Sequence, residues 1–129
     1  MNYKNQISDR VKILLIDEDE SIFYLIRRVL QRENYRLYTS TSGRSGMEMS
    51  TSICPDLILM DIKMPNLDGL EATKIIRELS ATVPIIAQSA FAYEHDVKAA
   101  MEAGCNDFIA KPIAQSKLKE VINKWLTTE

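Results

Sequence analysis

The chain is poor in sulfur and imidazole: of 129 residues only Cys54 and Cys105 are cysteines, and His95 is the sole histidine. Each cysteine precedes a predicted strand and neither belongs to a CxxC pair. Both are therefore expected as buried, reduced thiols of a cytosolic protein rather than as a disulfide. His95 lies in a polar stretch and reads as a surface residue. No apolar run approaches the ~20 residues that a membrane-spanning helix needs. Met1 to Arg10 lacks the apolar core of a secretory signal. Charge of neither sign dominates. A formal net charge of -2 argues against nucleic acid or an anionic membrane as a direct partner. Lys117, Lys119 and Lys124 lie close together, but with Glu120 among them they read as the solvated face of one helix.

What is present describes one folded domain. Hydrophobic residues make up 46% and charged residues 26%, the balance of a globular chain without disorder. A chain of this length can bury roughly two-thirds of the surface that its unfolded form exposes. Residues 1–10 are polar and read as a tether, leaving residues 11–129 as the domain. Short apolar runs then alternate with helical periodicity. The strand-like runs are Lys12–Ile16, Arg36–Thr39, Leu57–Met60, Ile85–Ala87 and Phe108–Ala110. Most are continuous and apolar, as strands covered on both faces are, and the more polar second run is expected at an outer position.

Helical spacing recurs in Ile22, Leu25, Ile26, Val29 and Leu30, in Ala72, Ile75, Ile76 and Leu79, and in Leu118, Val121, Ile122 and Trp125. A second helix near Ser45–Thr51 is poor in strong helix formers. The third opens with Asp68 and carries Glu71 three residues on, a capping arrangement. The fourth runs from about Tyr93 to Gly104, where glycine suits left-handed termination. Pro55 and Pro84 stand just ahead of strands, Pro65 and Pro112 just behind them.

Five strands alternating with five helices imply a parallel sheet with right-handed crossovers and helices on both faces. Ligands in such sheets gather outside the carboxyl ends of the strands, where strand order reverses. Those ends carry the chemistry here. Asp17 and Glu18 follow the first strand, Asp61 the third, Ser89 the fourth and Lys111 the fifth. Asp17, Glu18 and Asp61 brought together would repel, and a hard divalent cation such as Mg²⁺ relieves that repulsion. Asp61 is the candidate nucleophile for a phosphoryl group, with the cation, Lys111 and the Ser89 hydroxyl around the peripheral oxygens. Taken singly, each has a plainer reading. The acidic run Asp17–Glu20 could offset a helix dipole, as expected for Asp19 and Glu20. Ser89 could satisfy backbone at a strand end, and Lys111 could be an ordinary surface lysine.

From about Val11 to Leu126 the chain resembles the receiver domain of bacterial two-component response regulators. The resemblance rests on Ile13-Leu14-Leu15-Ile16-Asp17-Glu18, on the stretch from Leu57 through Asp61 and Lys63 to Asp68-Gly69, on Pro84 to Ala90, and on Ala103 to Lys111-Pro112. It implies a flavodoxin-like (βα)5 three-layer sandwich with strand order 2-1-3-4-5 and a cis Lys111–Pro112 bond. It implies that Asp61 takes phosphate from a histidine kinase or histidine phosphotransfer domain. Mg²⁺, for which Mn²⁺ or Ca²⁺ can substitute, would be bound by Glu18, Asp61 and the main-chain carbonyl of Lys63, with Asp17 acting through water. Ser89 and the aromatic at Phe108 would form the switch. The fourth helix, fifth strand and fifth helix, which include Lys117, Lys119 and Trp125, would present it to a downstream output domain or protein.

The sequence also departs from the family pattern. Glu18 stands where aspartate is commoner, Lys63 places a charge two residues after Asp61, Phe91 lies two residues after Ser89, and Phe108 lacks the hydroxyl of a tyrosine. Two other readings remain beside the receiver, which is not itself an enzyme. One is a receiver-like binding module that never gains phosphate. The other is a haloacid-dehalogenase-like phosphatase using Asp17 as nucleophile and Asp19 as acid, although the later acidic pair of such enzymes is absent. The stretch Ala103 to Asp107 resembles receivers of hybrid sensor histidine kinases. Of the two contexts open to the chain, a single-domain regulator in the cytoplasm or a piece of a longer protein such as the cytosolic portion of a membrane-bound kinase, it favours the second.

Overall fold

The computed structural model describes residues 11–31, 35–64 and 68–126. Strands and helices alternate: β1 (Val11–Ile16), α1 (Glu20–Leu30), β2 (Tyr35–Ser40), α2 (Gly43–Ile53), β3 (Leu57–Asp61), α3 (Gly69–Leu79), β4 (Ile85–Ser89), α4 (Glu94–Ala103), β5 (Asp107–Ala110) and α5 (Gln115–Leu126). All five strands pair in parallel in the order β2-β1-β3-β4-β5. This is the parallel α/β sheet that the alternation implied, in the flavodoxin-like order that the resemblance implied. The expected tether and Pro65 lie outside the described residues.

Each expected strand falls within an observed one, because the apolar runs are buried on both faces and so locate themselves. β3 and β4 are buried throughout, while β2, at the sheet edge, is only half-buried. Side-chain alternation sorts the core into two layers. Ile13, Leu15, Leu59, Ile86 and Ile109 meet Ile26, Val29 and Leu30 of α1 and Leu118, Val121 and Ile122 of α5. Leu14, Ile16, Ile58, Met60, Ile85 and Ala87 meet Ala72 and Ile76 of α3 and Ala100 of α4, with Met47 and Ile53 of α2 at the margin.

The helix ends follow the capping chemistry. Asp19 and Ser42 cap α1 and α2 through their side-chain oxygens, and Asp68 Oδ1 accepts the Glu71 main-chain N–H at 2.9 Å. Asp96 reaches back to the Tyr93 N–H, and Gly104 ends α4 at a φ of 120°. The Lys111–Pro112 bond is cis. Cys105 is buried beside Thr73, and burial first of all pushes its thiol pKa up. Cys54 departs from expectation: it is exposed, because it closes α2 in the left-handed region (φ 50°) instead of leading into β3. Both thiols are free.

A joint invisible in the sequence ties α3 to the end of α4. Arg77 donates Nε to the Gly104 carbonyl at 2.9 Å, Nη1 to the Ser80 carbonyl and Nη2 to Asn106 Oδ1. That same Asn106 oxygen accepts the Ile85 N–H at 2.8 Å, so one amide links the start of β4 to the clamp. A Cβ on Gly104 would press on Arg77 Cγ at 2.7 Å, so glycine here serves both the turn and the close approach. Arg77→Met, which keeps the aliphatic stem and removes three donors, is expected to destabilise the fold by about 2 kcal/mol in urea unfolding.

Candidate functional site

Register puts the acids together. Leu15 faces Leu59, Leu59 pairs with Ile86, Asp61 with Gln88, and Gln88 with Ile109. Counting two residues onward along β1 and β5, Asp17, Asp61, Gln88 and Lys111 continue one face of the sheet at its carboxyl edge, the face covered by α1 and α5.

The contacts agree with that count. Lys111 Nζ lies 2.8 Å from Asp17 Oδ2 and 3.6 Å from Asp61 Oδ2. Gln88 Nε2 donates to the same Asp17 oxygen at 2.8 Å. Asp17 Oδ1 accepts the Asp19 N–H at 2.8 Å, and Asp61 Oδ1 accepts the Lys63 N–H at 3.0 Å. Both carboxylates are buried, at 4% and 5% exposure, and they share a single ammonium between them. Main-chain bonds fix the frame: Asp17 N–H to the Ser40 carbonyl, Ile62 N–H to that of Gln88, and Lys111 N–H to that of Ser89. Gly69 completes it, since a Cβ there would be driven into the main-chain oxygen of Asp61.

This charge imbalance shows in the ionisation. The Asp61 carboxyl is pushed up to about 6 from an ordinary 3.8, first by burial and then by the neighbouring charge of Asp17. The Lys63 N–H and Lys111 pull the other way. Burial works to lower the Lys111 ammonium, but its hydrogen bond and charge attraction to Asp17, reinforced by Asp61, carry it above its usual range.

The remaining expected site residues are placed differently. Glu18 is exposed on the loop after β1, next in sequence to the buried Asp17. Among the described residues no three acids, histidines or cysteines gather closely enough to hold a metal ion by themselves. Ser89 is one residue out of step with Gln88 and therefore lies on the opposite face of β4; its Oγ accepts the Phe91 N–H at 2.9 Å. Lys63 Nζ lies 3.8 Å from Asp96 Oδ1 and 5.9 Å from the centre of the Phe91 ring. Phe108 is half-buried against the α3–α4 layer. His95 is a surface residue, 82% exposed and stacked on Tyr93. Lys117 and Lys124 are exposed, and Trp125 Nε1 donates to Asp107 Oδ2 at 2.9 Å. Gln88 was missed as a site residue. A lone amide closing the run Ile85-Ile86-Ala87-Gln88, on the Asp61 side by parity, was the available signal.

Two further features bear on the alternatives. Asp19 spends its carboxylate on the N–H and hydroxyl of Ser21 at the start of α1, bonds that hold its pKa down, so it is not poised as a general acid beside Asp17. An apolar cleft of about 200 Å³ by Cys54, Pro55, Ile76 and Leu79 sits at the other end of the strands, away from the acids.

The chain matches the response regulator receiver domain family over residues 13–123. It belongs to that family and is a receiver domain of two-component signalling. It is 32% identical to the polar-differentiation response regulator DivK of Brucella ovis, over 88% of this chain and 94% of that protein. It is 34% identical to the alkaline phosphatase synthesis transcriptional regulatory protein PhoP of Bacillus subtilis over 80% of this chain and 43% of that protein. It also superposes with a TM-score of 0.83 and 32% identity on the receiver domain of the sensor histidine kinase PA1611 from Pseudomonas aeruginosa. That match covers 91% of this chain and 98% of the other, whose active-site cleft coordinates a magnesium ion. The likeness thus spans a nearly whole regulator and a kinase-borne receiver, and favours neither context. The phosphatase reading falls with the family assignment. Among the described residues no helix is long and apolar enough to cross a membrane.

A carboxyl raised in the folded state stabilises the fold fully below its ordinary value, and that contribution is lost as pH rises through the folded value of about 6. Asp61→Asn cannot ionise. Without divalent cations its stability relative to the unaltered protein is expected to rise by about 1 to 2 kcal/mol between roughly pH 4 and pH 7.5, after allowance for solvent screening, as read by urea unfolding.

Proposed function

We propose that Asp61 is the phosphoacceptor, receiving a phosphoryl group from a phosphohistidine on a histidine kinase or phosphotransfer partner. The observation that carries this reading is the unequal coordination of its two oxygens. Oδ1 is held by the Lys63 N–H at 3.0 Å, whereas among the described residues Oδ2 has only the 3.6 Å approach of Lys111. Oδ2 is thus the oxygen with a lone pair to give. It bonds to phosphorus as the phosphorus–nitrogen bond breaks, and the electron pair of that bond returns to the imidazole of the donor. The product is an acyl phosphate on Asp61.

The residues present fit a divalent cation. Two buried carboxylates answered by one ammonium leave excess negative charge, and burial plus repulsion already raise Asp61. Asp17 and Asp61, with the Lys63 carbonyl and Glu18 from the exposed turn after β1, would hold Mg²⁺, which accepts a few carboxylates with water and phosphate oxygens. When bound, that ion would offset charge on the phosphoryl oxygens. Lys111 moves its ammonium from Asp17 towards the phosphoryl group, 3.6 Å from Asp61 being a short step for a lysine. Ser89 exchanges its acceptor role towards the Phe91 N–H for a donor role towards a phosphoryl oxygen. Phe108, packed on the same side of the sheet, adjusts with it and alters the α4–β5–α5 face that an output domain or partner would read.

Incubation with Mg²⁺ and a small-molecule phosphodonor is expected to add one phosphoryl group, detected by mass. Asp61→Asn or chelation of Mg²⁺ is expected to abolish the gain, and Lys111→Met to slow it about 100-fold. A chain that takes no label with all residues intact is instead a binding module that works without phosphate. Label persisting in Asp61→Asn would remove Asp61 from its role.

A further inference from the structure

The acceptor chemistry leaves one buried polar side chain at the site without a purpose. Gln88 is fully buried on β4, donates Nε2 to Asp17 Oδ2 at 2.8 Å, and leaves Oε1 as the one buried side-chain nitrogen or oxygen without a hydrogen-bond partner among the described residues. Burying an amide with its acceptor unmet costs stability, and an apolar residue at this point of the strand would avoid that cost. The orientation follows from chemistry: a reversed amide would set Oε1 against a carboxylate, acceptor on acceptor.

Asp17 Oδ2 carries two donors of different kinds. Lys111 is charged, long and 17% exposed at its side chain; Gln88 is neutral and fixed in the sheet. We propose that Gln88 is a positioning residue, holding Asp17 in its cation-binding orientation while Lys111 leaves it for the phosphoryl group. This rests on the reading of Asp61 as phosphoacceptor. The logic is one of charge. Lys111 cannot serve Asp17 and a phosphoryl group at full strength together, and a buried carboxylate oxygen that loses its charged donor needs another to keep its orientation. A neutral amide keeps the carboxylate aimed without cancelling the negative charge that attracts a cation. A second lysine at position 88 would hold Asp17 as firmly and repel the ion.

Gln88→Met removes both polar atoms at nearly constant length. The Mg²⁺ concentration giving half-maximal labelling by a small-molecule phosphodonor is expected to rise roughly tenfold, the worth of one hydrogen bond to a charged group. The rate at saturating Mg²⁺ should change far less. Calorimetric titration of the unphosphorylated variant with Mg²⁺ should show the same loss of affinity. Unchanged Mg²⁺ dependence in a variant that still labels would overturn the positioning role alone. Failure of the unaltered protein to label at any Mg²⁺ concentration would overturn the phosphoacceptor reading beneath it. Should Gln88→Met fail to fold, the unaltered protein decides by NMR. The Gln88 side-chain amide protons should exchange slowly with water and shift when Mg²⁺ is added, and an amide pair indifferent to Mg²⁺ would overturn the role.

Discussion

Two buried carboxylates share one ammonium, and most of the site follows from that inequality. Lys111 sits closer to Asp17 than to Asp61, and Asp61 ionises less readily than an ordinary aspartate, first because it is buried and then because Asp17 is charged beside it. A site built for maximal stability would pair each acid or replace both with apolar residues. This one does neither. It holds a standing deficit of positive charge at the end of a fully buried strand, the condition that favours a hard cation.

The sheet makes this arrangement rigid. The acids and the lysine are the next residues outward on a face whose inner members are Leu15, Leu59, Ile86 and Ile109, all essentially unexposed. Their positions are inherited from close packing, which resists displacement far more than a loop would. Main-chain bonds from Asp17 to β2, from Ile62 to β4 and from Lys111 to β4 continue the sheet into the site itself. Gly69 lets the first turn of α3 press against the backbone of Asp61, so the helix also buttresses that carboxylate.

The strands, their outer member β2, the cap at Asp68 and the stop at Gly104 were legible because each depends on local periodicity or on the chemistry of one or two residues. Asp17, Asp61 and Lys111 were legible because strand ends in a parallel sheet converge. What escaped depends on tertiary partners. Cys54 looked like a buried residue preceding a strand, but the backbone closes α2 there in a left-handed turn and leaves the thiol outside. Arg77 and Asn106 show no pattern of their own; their roles exist only once α3 and the turn after α4 meet. Gln88 was within reach of the parity rule, since any polar residue continuing an apolar face at the carboxyl edge belongs to the site by counting.

Parity also explains how the two sides of the sheet can be coupled. Gln88 and Ser89 are consecutive residues of β4 on opposite faces. The first holds Asp17 among the acids, and the second bonds the Phe91 N–H where the chain leads towards α4. The Ser89 carbonyl accepts the Lys111 N–H, so the residue whose side chain lies between the two acids is tied by its backbone to the one whose hydroxyl faces the other way. A shift in the partner of Lys111 on one face therefore acts on a strand end whose other face carries Ser89. Because β4 is buried along its whole length, that end has little freedom to absorb the change locally. The acids and the loop before α4 thus meet at one short, buried piece of backbone.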